Sequence, residues 1–407
     1  MIPEKPKPAA TSQGEIPAAM AETDFSLILG GPLYQLLLRA HMVQPTMALV
    51  RRRILAFVLI TWLPLPILTA LGGGFLSGVS VPFVYDLDVH VRFLLSLPLL
   101  IAAEIIVHRQ LRGVVAQFEA RDLIAPGDRK SFRDIITSTM RLRNSVMIEI
   151  ALLAIAFTVF YWLWRSQASL GVASWYASGT GSAISFTPAG YWYVFVSVPV
   201  FRFILLRWYF RLFVWYVFLF RVARLRLQLN PLHPDRAGGI EFLSLSVDAI
   251  SPVLVAQSIF LSGVIGNQIL NAGATLPEFK VLIAGFVLFL MLLALLPLAF
   301  FAPQMMATKR ATLPEYGAFA ARYVNAFREK WRNPSRDREK ELLGTADIQS
   351  LADLGDTYDV VHKMQMLPFD RSVIMRLIVL IAIPLLPLAL TMFPFEVILQ
   401  QLIKIVV

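Results

Sequence analysis

Cysteine is absent from all 407 residues. That absence excludes disulfides, thiolate metal sites, cysteine nucleophiles and cysteine-ligated clusters, and leaves the compartment open. Charge is scarce too: Asp, Glu, Lys and Arg make up 16% of the chain, against about a quarter in a soluble domain. Too little polar material remains to coat a water-facing surface. The first fifty residues lack a basic region followed by an apolar core and a small-residue cleavage site, so no secretory signal is expected. No internal repeat at a fixed period is visible, and no inverted repeat of the kind secondary transporters carry.

What is present is apolar. Hydrophobic residues reach 57% and the mean hydropathy is +0.65, while the formal net charge is +10. The composition predicts an all-α polytopic integral membrane helical bundle. A run of about 20 apolar residues crosses a hydrocarbon core of about 30 Å, and seven runs qualify as spans: 54–71, 93–107, 146–164, 191–220, 248–270, 281–302 and 373–392. Pro64 and Pro66 should kink the first, and the aromatic cluster Phe160, Tyr161, Trp162 and Trp164 should set one end of the third at an interface. The run 191–220 is read either as one long tilted helix or as a span ending near Arg211 with an interfacial helix after it. Outside the spans, 1–23 reads as a disordered tail. The segment 24–53, broken by Gly30, Gly31 and Pro32, reads as an interfacial helix. Residues 303–372 form a cytoplasmic helical module in which Ile348, Leu351, Leu354 and Val360 recur near helical spacing, and 393–407 is amphipathic.

The basic residues orient the bundle. Segments 1–53, 108–144, 221–246 and 303–372 hold 6, 8, 4 and 11 of the 37 Lys and Arg residues. Those four segments are therefore assigned to the cytoplasm together with the N-terminus. The positive surplus is topology and implies no nucleic acid.

Chemistry must come from the few charged residues that lipid does not explain. A guanidinium at the centre of a span costs on the order of 3 kcal/mol, so Arg202, Arg207 and Arg211 must face protein or water. At 100° per residue Arg207 and Arg211 stand about 40° apart and can share a partner, whereas Arg202 needs another. Glu104 and Glu149 are the available carboxylates. The five-then-four spacing does not fit a voltage sensor, which leaves an arginine-lined anion pathway or a set of inter-helix ion pairs. Glu104 and His108 lie four apart on one helix face, as a proton relay, two metal ligands or ordinary structural pairing. Two ligands specify no metal, and no metal or other cofactor is assigned. In the fifth span Gln257, Asn267 and Gln268, with Ser251, Ser258 and Ser262, are candidates for lining a wet cavity or for polar contacts between helices; Gln257 and Asn267 do not form one stripe.

The most distinctive string is His233-Pro234-Asp235-Arg236-Ala237-Gly238-Gly239. Its prolines stiffen a loop that displays an imidazole, a carboxylate, a guanidinium and two glycine amides, as a site for protons, an anion or phosphate. The alternative is a tight turn in which Asp235 caps the next segment. It is not a phosphate loop, lacking Gly-Lys-Ser/Thr, nor a dinucleotide fingerprint, since no strand precedes it. With LHPDRAGGIEFLS and GTADIQSLADLGDTYDVV on the page, the chain resembles a group of uncharacterised multi-pass bacterial inner-membrane proteins, over most of its length from the first span onward. The resemblance implies the inner membrane and transfers no functional residue. Two readings follow from the residues: a channel or transporter-like protein for a small anionic or proton-coupled solute, and a membrane scaffold docking a partner through 303–372 and the His233–Gly239 loop. An intramembrane enzyme is third, because no serine–histidine or paired-aspartate set falls on facing spans. The partners implied are the lipid bilayer, further copies of the chain and a cytoplasmic protein.

Overall fold

A computed structural model describes residues 25–32, 34–35, 50–167, 174–178, 185–332 and 346–392. The tail over 1–23, most of the expected interfacial helix, the aromatic side chains at 160–164 and the amphipathic stretch 393–407 lie outside the described residues or side chains. The fold is built from helices in the order α1 (Val50–Leu71), α2 (Leu87–Ala120), α3 (Arg129–Arg143), α4 (Val146–Gln167), α5 (Pro188–Val222), α6 (Glu241–Ala272), α7 (Leu276–Arg332), α8 (Ala346–His362) and α9 (Arg371–Met392). Six of them, α1, α2, α5, α6, α7 and α9, are long and apolar enough to cross a membrane, and α4 carries a shorter apolar stretch over Val146–Thr158. The chain is therefore a multi-pass membrane protein, since only helices satisfy their own backbone polar groups in lipid within a single segment. The strands among the described residues are one short antiparallel pair, Ala177–Ser178 with Ser185–Phe186.

Local sequence sets the helix ends. Asp86 caps α2 by accepting from Val89 N at 3.3 Å, Thr187 caps α5 through Gly190 N at 3.0 Å, and Asp370 caps α9 through Val373 N at 3.1 Å. Thr275 and Glu278 form a capping box at the start of α7, which satisfies two of its free N–H groups. Pro98 and Pro199 lack an N–H inside α2 and α5, and the turns just before them widen to π geometry over Arg92–Ser96 and Tyr193–Ser197. Such widened turns re-aim side chains, and here they bring Arg92 Nη1 to 3.2 Å from Tyr193 Oη.

Helix α6 is the most enclosed span and packs on α2. Two glycines make the approach close: a Cβ at Gly263 would stand 2.8 Å from Val91 Cβ, and one at Gly266 2.7 Å from Leu87 Cδ2. Around this contact lies one continuous core that includes Phe93, Val107, Trp208, Trp215, Phe218 and Leu254.

The structure decides two expectations and revises a third. The run 191–220 lies within the continuous helix α5, which selects the single long helix over the alternative of a span ending near Arg211. The second span is longer than 93–107, since α2 starts at Leu87 and runs to Ala120. The segment 24–53 does not begin as a helix lying on the bundle: Phe25–Gly31 is irregular, and Phe25, Leu27 and Ile28 are buried in the core. The Phe25 ring sits 4.9 Å from that of Phe218 and 5.9 Å from that of Trp215, so burial of three large apolar side chains outweighs surface adsorption.

Beyond Phe301, α7 continues to Arg332 and α8 folds back along it, so the module 303–372 is a helical hairpin. Asp347 joins its arms by pairing with Lys330 and accepting from Trp331 Nε1 at 3.2 Å. Ile348, one of the periodic residues of α8, is exposed.

Candidate functional site

At the end of the bundle where α1 and α4 begin, charged side chains from three spans meet. Glu104 of α2 accepts from Arg211 Nη1 of α5 at 2.7 Å through one oxygen and pairs through the other with Arg53 of α1. All three side chains are between 5 and 7% exposed. One turn earlier on α5, Arg207 Nε lies 3.3 Å from Glu149 Oε1 at the start of α4. The adjacent positions of Arg207 and Arg211 thus serve two carboxylates rather than one, and four helices are tied together. Arg211 also stacks on Trp208, with its guanidinium carbon 4.9 Å from the ring centroid, a favourable cation–π geometry.

The irregular N-terminal segment closes this cluster. Arg207 Nη2 donates to Gly30 O at 3.4 Å, and Arg143, from the end of α3, donates to Ser26 O. Gly31 adopts φ +89, and a Cβ there would come within 3.2 Å of Glu149 Oε2; a residue without a side chain lets the backbone pass beside the charges. A small recess of about 20 Å³, room for about one water, lies between them, with Arg143, Glu149, Arg207 and Arg211 as its charged lining. Glu104 and His108 share a face but not a partner, because His108 Nδ1 is 2.9 Å from Ser26 Oγ. Among the described residues no group of three or more His, Cys, Asp or Glu could hold a metal ion.

Arg202 lies apart from this cluster, half-buried and toward Arg92 and Tyr193. That second group occupies the opposite end of the bundle, and the sequence reading missed it. Asp86 is buried and accepts from Trp175 Nε1 at 2.8 Å, Arg92 pairs with Asp88, and Trp62 Nε1 donates to His90 Nδ1 at 3.2 Å. The Phe83, Trp175 and Tyr193 rings fill the space around them at centroid distances of 5.1 to 5.2 Å. This close packing makes the group a buried structural knot. The sequence signal was the pair Asp86 and Asp88 beside an apolar run, but Trp175, the partner of Asp86, lies 89 residues away from it.

The polar residues of α6 mediate contacts between helices. Gln257 is buried and accepts from Tyr209 Oη; Asn267 Oδ1 accepts from Leu87 N at 3.0 Å, while Gln268 is exposed. Neither the recess beside Arg207 nor the one beside Met366 is lined by them.

In the loop after α5, Asp235 gathers the backbone N–H groups of Ala237 at 2.8 Å, Gly239 at 3.1 Å and Glu241 at 3.3 Å. Burial raises its pKa, but these three donors and His233, whose Nδ1 is 2.9 Å away, outweigh that and hold the carboxyl below its ordinary range. Gly238 at φ +70 supplies the left-handed turn. Because Asp235 takes the Gly239 amide, that donor does not face outward toward a phosphate. Arg236 is exposed, and its carbonyl accepts from Gln365 N at 2.7 Å. Lys309 Nζ donates to Met364 O at 2.7 Å, so the loop and the hairpin meet at one seam.

Searches against protein-family models, curated proteins and solved structures find no match to this chain.

Proposed function

We propose that this multi-pass membrane protein is a transporter-like carrier for a small anion, with the Arg207–Arg211 pocket as its binding site. One observation supports the reading most: the pocket lining holds three arginines against one glutamate among the described residues, and counting Arg53 with Glu104 leaves the same excess of two positive charges. A net positive, largely desolvated pocket at a bundle end favours an anion. The segment Phe25–Gly31 covers the pocket, so the arrangement corresponds to a closed state. The positive-inside distribution supports a cytoplasmic site, and the resemblance to bacterial inner-membrane proteins supports the inner membrane as the location. Reconstituted into proteoliposomes, the wild type should move one of a panel of labelled anions, and Arg207→Ala should lower that flux about tenfold or more, the loss expected for one charge-assisted contact. No flux of any anion by the wild type would refute transport.

The scaffold reading rests on a different observation, the seam between the His233–Gly239 loop and Met364–Gln365. Deleting 345–366 with the spans intact should then abolish a partner pulldown, and retention of every partner would count against it.

A further inference from the structure

The pocket also carries information about the shape of its ligand. Arg207 and Arg211 approach from α5, one turn apart, and Arg143 approaches from the end of α3. Three guanidiniums from two directions suit an acceptor with at least three oxygens arranged around a centre. A carboxylate presents two oxygens in one plane, and a halide presents no directional acceptor. Glu149 and Glu104 hold Arg207 and Arg211 in place, so the guanidiniums need little ordering, and the rearrangement that makes room for a ligand falls on the covering segment Phe25–Gly31.

Apart from Gly30 and Gly31, the remaining lining is apolar and comes from three separate elements, Leu27, Leu152 and Phe210. Leu152 belongs to the start of α4, where Met147 and Ile150 are exposed. A charged pocket thus adjoins an apolar helix face at the level where that helix begins. This amphiphilic boundary is the setting in which basic pockets between membrane helices take lipid headgroups.

We propose that the ligand of this pocket is a phosphate group, presented by an anionic lipid headgroup or as free phosphate. This rests on the anion reading above and narrows it to a tetrahedral oxyanion. The carbonyls of Ser26 and Gly30, which now accept from Arg143 and Arg207, stand where phosphate oxygens would compete, so binding loosens the hold on Phe25–Gly31.

The test uses the full chain in dodecyl maltoside, a detergent without phosphate. Separate arms add phosphatidylglycerol, inorganic phosphate, acetate, chloride, or uncharged diacylglycerol, and Tm and native mass spectrometry are read for each. Phosphatidylglycerol is expected to raise Tm and remain bound, and Arg207→Ala should weaken its apparent affinity about tenfold. Diacylglycerol should do neither. If Arg207→Ala does not fold, Arg143→Gln at the half-buried edge replaces it. Stabilisation by both phosphate species supports the proposal with either source; stabilisation by inorganic phosphate alone supports phosphate chemistry and assigns the free source. Stabilisation by acetate or chloride without phosphate would overturn the phosphate assignment while leaving the anion reading standing. If no anion acts, or if the variants bind phosphatidylglycerol as wild type does, both fall.

Discussion

Replacing Glu104 with glutamine would expose how much the bundle depends on one carboxylate. The side chain is 7% exposed, and the two guanidiniums it holds, Arg53 and Arg211, are each 5% exposed. Glutamine preserves the shape and one acceptor but removes the charge, and its amide turns two N–H donors toward guanidiniums that are themselves only donors. Two buried cations then share no counter-charge, and breaking a buried ion pair from one side costs about 3–5 kcal/mol. At 1.4 kcal/mol per decade, even the lower figure shifts the folded-to-unfolded ratio by about a hundredfold. The assay is equilibrium unfolding in mixed micelles with increasing SDS, following the change in tryptophan fluorescence. A loss under about 1 kcal/mol, the range of solvent-exposed pairs, would refute the view that this triad is dry and mutually dependent. The companion variant Arg53→Met/Glu104→Leu/Arg211→Met removes all three charges together and should recover most of the lost stability, because the penalty lies in orphaned charge rather than in the missing bonds. If the triple variant is no better than Glu104→Gln, the three residues do not act as a unit.

Two further outcomes follow from other parts of the molecule. Gly263→Ala places a methyl group within 2.8 Å of Val91 Cβ, so α6 and α2 must part; a loss of about 1–3 kcal/mol is expected in the same unfolding assay, and an unchanged midpoint would mean the helices do not approach so closely. The Asp235 carboxyl is held below its ordinary range by backbone donors, so its contribution is complete above that range and disappears only as pH falls through the lowered value. Hydrogen exchange at Ala237, Gly239 and Glu241, corrected for intrinsic rates, should therefore show constant protection from pH 5 to 8 in the wild type and lose it in Asp235→Ala. Protection unaffected by the substitution would show that the turn does not depend on its carboxylate.

The membrane architecture was legible because hydropathy is a local property: runs such as Val281–Leu295 need no partner to be recognised. The identities of the charged site residues were legible for a related reason, since Arg207, Arg211 and Glu104 stand out against lipid-compatible surroundings. Their pairing was only half legible. Wheel geometry allowed Arg207 and Arg211 one shared carboxylate, and nothing in the sequence specifies that α1 adds Arg53 to Glu104 or that α4 brings Glu149 to Arg207. The start of the N-terminal segment was not legible, because Gly30 and Gly31 look like interruptions of a helix; in the fold they let an irregular chain enter beside charged groups, with Phe25, Leu27 and Ile28 as irregularly spaced anchors. The Asp86–Trp175 contact had no local signature, since both residues sit in loops at one end and meet only when α2 and α5 are in place.

Helix α7 spans 57 residues from Leu276 to Arg332 and tightens to 3₁₀ geometry over Leu296–Phe301; the last thirty or so residues, about 46 Å at 1.5 Å per residue, extend past the apolar part. Where this rod leaves the bundle, Gln304 Nε2 donates to Ala223 O at 2.6 Å and Leu225 O at 2.7 Å, both just past the end of the helix that carries Arg207 and Arg211. The arrangement has the mechanics of a lever with its fulcrum at Gln304. A rotation of about 5° there would displace the far tip by about 4 Å over that length, so a shift at the arginine helix too small to resolve at the pocket would be read out, enlarged, at the end of the hairpin.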